Sequence, residues 1–174
     1  MKKIFFIVFL FLNQSQNIFY KEFKLQEAIN GLNSPWSLSF ISNDRVIATE
    51  KSGNLMLIDF NINEIKKIKH NLNILEDGQG GLLEVLYFKD QVFVSYSEDL
   101  KRGYSTTSVA KANFNENELN FQNIFRAEPP INSGYHFGSR LVIKDNLLYI
   151  TAGERGKGMI AQDPKKHPGS IIRI

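Results

Sequence analysis

Two side chains able to do acid–base or hydrogen-bonding chemistry fall in one short phrase written twice. Gln79-Gly80-Gly81-Leu82-Leu83-Glu84-Val85 lies over His136-Phe137-Gly138-Ser139-Arg140-Leu141-Val142 without a gap, so Gln79 and His136 occupy equivalent places in successive copies. An imidazole titrates near neutrality and can take a proton from a hydroxyl, while a carboxamide can hold a ligand without competing for that proton. Gly80, Gly81 and Gly138 carry no Cβ and allow close backbone approach. A histidine near a strand start is also often a hydrogen-bonded structural group, so at this point His136 and Gln79 are candidates and the structural use stays open.

The remaining chemistry-bearing residues form weaker patterns. The three histidines, His70, His136 and His167, are 66 and 31 residues apart with no acidic cluster joining them, which gives a histidine-ligated metal little local support. His70 sits among lysines and reads as exposed, and His167 before Pro168-Gly169 reads as a loop cap. Glu154 and Asp163 suit a calcium ion or a turn equally well. The glycines of Gly78 to Gly81 lack the Lys-Ser/Thr pair and following helix of a phosphate cradle. With no cysteine in 174 residues, thiol catalysis, disulfide scaffolds and cysteine-ligated metals are excluded. The net charge of +3 comes from interspersed signs without a basic block, so no nucleic-acid partner is expected.

These candidates must be positioned by strands. From Phe23 onward, apolar groups of four to seven residues rich in Ile, Val, Leu, Phe and Tyr alternate with Gly, Asn, Asp and Pro. Helical spacing is absent, and Ile62 to Leu72 reads as an edge strand and loop with a solvated lysine face. A hairpin phrase recurs three times. Ser37–Ile41 with Val46–Thr49 and a third strand Leu55–Asp59 form the first copy, Leu82–Phe88 with Val92–Tyr96 the second, and Arg140–Ile143 with Leu147–Thr151 the third. The turn aspartates Asp44, Asp90 and Asp145 are 46 and 55 residues apart, the interval of four-stranded propeller blades with loop insertions. The fold expected is therefore all-β, a β-propeller of about three blades in an incomplete ring; a β-sandwich is the competing all-β arrangement. Gln79 and His136 would then each precede the innermost strand of a blade, at the mouth of the central channel.

The N-terminus reads differently. Lys2-Lys3 followed by the nine apolar residues Ile4 to Leu12 has the form of a secretory signal, too short to span a bilayer, although Asn13-Gln14-Ser15-Gln16 offers no marked cleavage site. Residues 1–20 are assigned to that signal and residues 21–174 to the propeller domain, with no stable membrane span left after removal.

Seven phrases in order carry a family resemblance. They are Pro35-Trp36-Ser37-Leu38-Ser39-Phe40, Thr49-Glu50-Lys51, Gly78-Gln79-Gly80-Gly81-Leu82-Leu83-Glu84-Val85, Val94-Ser95-Tyr96-Ser97, His136-Phe137-Gly138-Ser139-Arg140-Leu141, Gly153-Glu154-Arg155-Gly156, and Ala161-Gln162-Asp163 with His167-Pro168-Gly169-Ser170-Ile171-Ile172-Arg173-Ile174. Across Asn30 to Ile174 the chain resembles the soluble glucose/sorbosone dehydrogenases, in particular their aldose sugar dehydrogenase branch. The resemblance implies a six-bladed propeller, periplasmic or secreted, that binds pyrroloquinoline quinone (PQQ) at the channel mouth with calcium beside it. It implies oxidation of the anomeric hydroxyl of an aldose to a lactone, with electrons passing on to an external acceptor. The family's base falls on His136, its cofactor- and substrate-contacting glutamine on Gln79, and a sugar-pocket residue on Gln162.

Three departures accompany it. Tyr135 stands where the family's glucose dehydrogenases have an aspartate, Glu154 where the usual phrase has aspartate, and Ser170 where it has lysine. The family's calcium ligands and cofactor-clamping arginines come later than Ile174, so the chain is expected to be the N-terminal part of such an enzyme and inactive alone. The alternative is a non-catalytic propeller segment serving binding or assembly.

Overall fold

Period-two alternation of β-branched and polar residues, broken by Gly, Asn and Asp, builds twelve strands in the computed structural model, which describes residues 24–174. Residues 1–20, assigned to a secretory signal on Lys2, Lys3 and Ile4 to Leu12, lie outside the described residues. The first blade contains β1 (Pro35–Phe40), β2 (Arg45–Glu50), β3 (Leu55–Asp59) and β4 (Glu64–His70), an antiparallel meander. The second contains β5 (Leu82–Phe88), β6 (Gln91–Asp99) and β7 (Ser105–Asn113). Its chain then lends β8 (Glu118–Leu119), parallel to β4, to the outer edge of the first sheet before β9 (Gln122–Arg126) closes its own. The third sheet is β10 (Gly138–Lys144), β11 (Leu147–Ala152) and β12 (Ser170–Arg173).

All three recurrent hairpins therefore form where the turn signals place them. Lys89-Asp90 and Asp145-Asn146 both adopt positive φ at the two central positions, the primed geometry that matches strand twist. The Ile62 to Leu72 stretch is largely β4, but it is not an edge: β8 lies outside it and Ile68 is fully buried. His70 is likewise half-buried rather than exposed, its Nε2 2.7 Å from the Gly53 carbonyl.

Alternation along each strand aims side chains at both neighbouring blades. Val92 and Val94 point back to Ile47, Leu57 and Ile68 of the first blade, whereas Phe93 and Val109 point forward to Leu141, Leu148 and Ile150 of the third. Each fully buried aliphatic side chain there contributes about 1.5–3 kcal/mol, so the interblade seams are the core.

A bulge recurs at the start of each innermost strand. A hydroxyl on the second strand accepts the bulged amide: Thr49 from Ser37 N–H at 3.1 Å, Ser95 from Glu84 N–H at 3.0 Å, Thr151 from Arg140 N–H at 2.9 Å. The same hydroxyl then donates across the seam, Thr49 to the Leu83 carbonyl and Ser95 to the Ser139 carbonyl, both at 2.6 Å. These registers make Leu38, Val85 and Leu141 equivalent. The gapless alignment of the two phrases is consequently one residue out: Leu82 pairs as Gly138 does, which puts Gln79 level with Tyr135, not with His136.

Candidate active site

The β10–β11 hairpin fixes the centre of the site. Gly138 pairs with Ala152, the Gly153 amide donates to the Phe137 carbonyl at 3.0 Å, and continuing that register one step places His136 opposite Glu154. His136 Nδ1 and Glu154 Oε1 are in direct hydrogen-bonding contact, with the imidazole 51% exposed and the carboxylate 27% exposed. Glu154 Oε1 also accepts the Gly156 amide at 3.0 Å, which orients the carboxylate. In the neutral ring a carboxylate on Nδ1 favours the tautomer with Nδ1–H, in which Nε2 carries the lone pair. The His136 contact holds the Glu154 carboxyl below its ordinary range. That stabilisation is fully present above the ordinary glutamate pKa and is lost as pH falls through the lower folded value.

Gln79 reaches the same spot from the second blade. Its side-chain Oε1 accepts the His136 backbone amide at 2.9 Å, and its own amide donates to the Gly134 carbonyl at 2.7 Å. The carboxamide oxygen is thus engaged and the exposed Nε2 group is what remains for a ligand. His136 sits at φ +50°, a left-handed conformation that the bond from Gln79 helps to hold.

Arg155 supports this loop from below. It is 2% exposed and donates to the Tyr135 carbonyl at 2.9 Å, the Ser105 carbonyl at 3.1 Å, the Ser105 hydroxyl at 2.9 Å and the Ser133 carbonyl. Its guanidinium lies 3.6 Å from the centre of the Phe137 ring. Burial pushes its pKa down to about 10, so it stays charged at neutral pH.

The glycines serve chain-to-chain contact here, a correction to their expected role toward a ligand. A Cβ on Gly81 would lie 2.1 Å from the Lys51 carbonyl oxygen, one on Gly80 2.8 Å from the Ser97 hydroxyl, and one on Gly138 2.8 Å from the Gly153 nitrogen. Gly153 is the tightest, at 1.8 Å from the His136 carbonyl oxygen. Gly153→Ala is expected to force the His136 and Glu154 backbones apart and to lower stability by about 1–3 kcal/mol. Urea unfolding of the variant measures this, and an unchanged midpoint would refute the packing argument.

The other nominated residues lie elsewhere. Gln162 ends a 3-10 segment, Gly158–Gln162; it is exposed and makes no hydrogen bond to Gln79, His136 or Glu154. Asp163 pairs with Lys166 and accepts the Lys165 amide at 3.0 Å, a turn role. His167 Nδ1 accepts the Glu128 amide at 2.9 Å, as a loop cap does. Among the described residues, no group of three or more His, Asp or Glu side chains is placed to hold a metal ion. Sequence reasoning missed the pairing of Glu154 with His136, although the hairpin register contains it.

The family model for glucose / sorbosone dehydrogenase matches residues 32–174. The chain belongs to that family. The aldose sugar dehydrogenase YliI of Escherichia coli K12 is 29% identical over 153 residues, covering 82% of this chain and 41% of its own length. A crystal structure of a glucose dehydrogenase, 30% identical, superposes with a TM-score of 0.80 over 86% of this chain and 46% of that one. The PQQ-bound aldose sugar dehydrogenase of Streptomyces coelicolor, 21% identical, shares the fold with a TM-score of 0.76 over 86% of this chain and 47% of its own. This family member spans about two fifths of the length of the curated relatives it matches.

Proposed function

We propose that this chain supplies the base-bearing half of a PQQ-dependent aldose dehydrogenase ring. The observation that carries the reading is the meeting of His136, Glu154 and Gln79 at one exposed mouth, drawn from two blades. Family membership and the sugar dehydrogenases among its relatives support it.

The donor set suits a quinone and a sugar hydroxyl side by side: an imidazole nitrogen turned away from Glu154, and a carboxamide N–H group whose own oxygen is engaged by the His136 amide. PQQ, when bound, supplies the two-electron acceptor for the hydride that leaves the anomeric carbon. His136 Nε2 takes the proton of the anomeric hydroxyl as its C–H bond breaks and the C=O of the lactone forms. Glu154 stabilises the resulting imidazolium, and Gln79 Nε2–H is the group that would hold and orient the quinone or the sugar oxygen. Gln162 is proposed to meet the sugar from the segment following Glu154. Tyr135, exposed and 6.1 Å from the His136 ring centre to centre, replaces the aspartate of the glucose-specific members and shapes which aldose enters. Among the described residues no group of three or more His, Asp or Glu side chains stands ready for calcium.

A periplasmic or secreted location is proposed from the form of residues 1–20; among the described residues no helix is long and apolar enough to cross a membrane. The reading is tested by aldose-dependent dye reduction in the quinone-loaded, ring-closed enzyme with His136 intact and replaced. Full turnover without His136 would remove it as the base, whereas no aldose-dependent reduction with His136 intact would leave the non-catalytic propeller module as the better account.

A further inference from the structure

We infer that Arg155 is a positioning residue for His136, a role that rests on His136 acting as the base. The Arg155 guanidinium and the Gln79 side chain grip the two ends of one peptide unit, the one that joins Tyr135 to His136. Its carbonyl accepts from Arg155 Nε at 2.9 Å, and its N–H donates to Gln79 Oε1 at 2.9 Å. A peptide plane held through both of its polar groups is fixed in orientation, so the direction in which the His136 side chain leaves the backbone is set before a ligand arrives.

The grip continues on both sides of His136. Before it, Arg155 also takes the Ser133 carbonyl, and the Gln79 amide takes the Gly134 carbonyl between. After it, the guanidinium lies against the Phe137 ring, and the Phe137 carbonyl accepts from Thr107 Oγ1 at 2.8 Å and from the Gly153 amide at 3.0 Å. His136 holds φ +50° inside this frame, and a non-glycine residue persists there only where its surroundings over-determine it. Adjacency divides the work. Glu154 contacts the imidazole Nδ1, and the next residue, Arg155, itself at φ +58°, turns its side chain under the same loop to reach the peptide. Ring and backbone of His136 are thus held by neighbouring residues of one turn.

The chemistry of the contacts separates this role from plain packing. Arg155 is 2% exposed, and among the described residues it has no carboxylate within ion-pair distance. Its acceptors are the carbonyls of Ser105, Ser133 and Tyr135 and the Ser105 hydroxyl, all neutral. Taking a charge out of water is costly, and a well-packed apolar side chain of similar volume often stabilises a core as well or better. What the guanidinium adds is a rigid planar fork that reaches several acceptors at fixed angles. Those acceptors join the start of β7 to the loop that carries His136.

The experiment compares Arg155→Met and Arg155→Lys in the ring-closed enzyme by steady-state kinetics with PQQ and by heteronuclear NMR of labelled histidine rings, His136→Gln assigning the signal. Methionine fills much of the space and donates nothing. Its kcat is expected to fall about 100-fold, the cost of misplacing a catalytic group by about 1 Å, with KM for the aldose changed less than about threefold. The neutral His136 ring is expected to pass from the Nδ1–H tautomer to a mixture of both. Lysine keeps the charge without the fork and should recover part of the rate and of the tautomer preference. A wild-type tautomer in either variant, once circular dichroism shows it folded, overturns the inference whatever the rate, and so does a loss carried by KM in place of kcat. If Arg155→Met does not fold, Arg155→Lys decides by the same criteria. The ring signal needs no turnover, so the two readings fail separately: an altered tautomer with wild-type kcat, or full activity in His136→Gln, counts against His136 as the base and leaves Arg155 as what aims the ring.

Discussion

His136→Gln lowers PQQ-dependent aldose oxidation by roughly 10²- to 10⁴-fold, the range lost with a positioned general base. Glutamine keeps much of the volume and can still hydrogen-bond Glu154, so the hairpin that pairs Gly138 with Ala152 should hold and far-ultraviolet circular dichroism should be unchanged. The loss should fall on kcat and on kcat/KM together, because the proton moves only in the transition state. It should be accompanied by little change in quinone affinity, measured by titrating the cofactor's absorbance. Wild-type turnover in this variant would remove His136 from the reaction.

Glu154→Gln lowers kcat by about 10- to 100-fold. The carboxylate accepts from His136 Nδ1 and carries the charge that offsets an imidazolium. A carboxamide supplies no charge, and its N–H end can face Nδ1 and favour the tautomer whose Nε2 is already protonated. Glu154→Asp keeps the charge on a shorter arm and should recover part of the rate. A purely structural role for Glu154 would lower stability while leaving kcat of the folded variants unchanged, so the rates and the partial recovery by Asp decide the matter.

Much of the candidate site was legible because it hangs on hairpins. Turn residues at Lys89-Asp90 and Asp145-Asn146 and the period-two apolar pattern locate β5, β6, β10 and β11, and motif order identifies Gln79 and His136. Glu154 was legible in principle: antiparallel register carries a residue two places before β10 to a position opposite one two places after β11. Residue type without the register leaves it suited equally to a calcium ion or a turn. The extra strands β7, β8, β9 and β12 were not separated out, since Ser105–Asn113 is rich in Ser and Thr and β8 is two residues long, stabilised by pairing with β4 rather than by its own pattern.

Sequence alone determined that the chain is all-β, that three hairpin phrases repeat, and which imidazole and carboxamide stand before their inner strands, because turn chemistry and side-chain alternation act over a few residues. Tertiary structure alone decided the one-residue offset that sets Gln79 level with Tyr135, the contact that nevertheless brings Gln79 to the His136 amide, and the Arg155 anchor beneath them. It also decided that Thr49 and Ser95 staple neighbouring blades. A bulge is defined by the pairing with its partner strand, and a hydroxyl's partner lies 34 to 44 residues away on another sheet. Neither leaves a local trace, because both follow from how finished sheets stack around an axis.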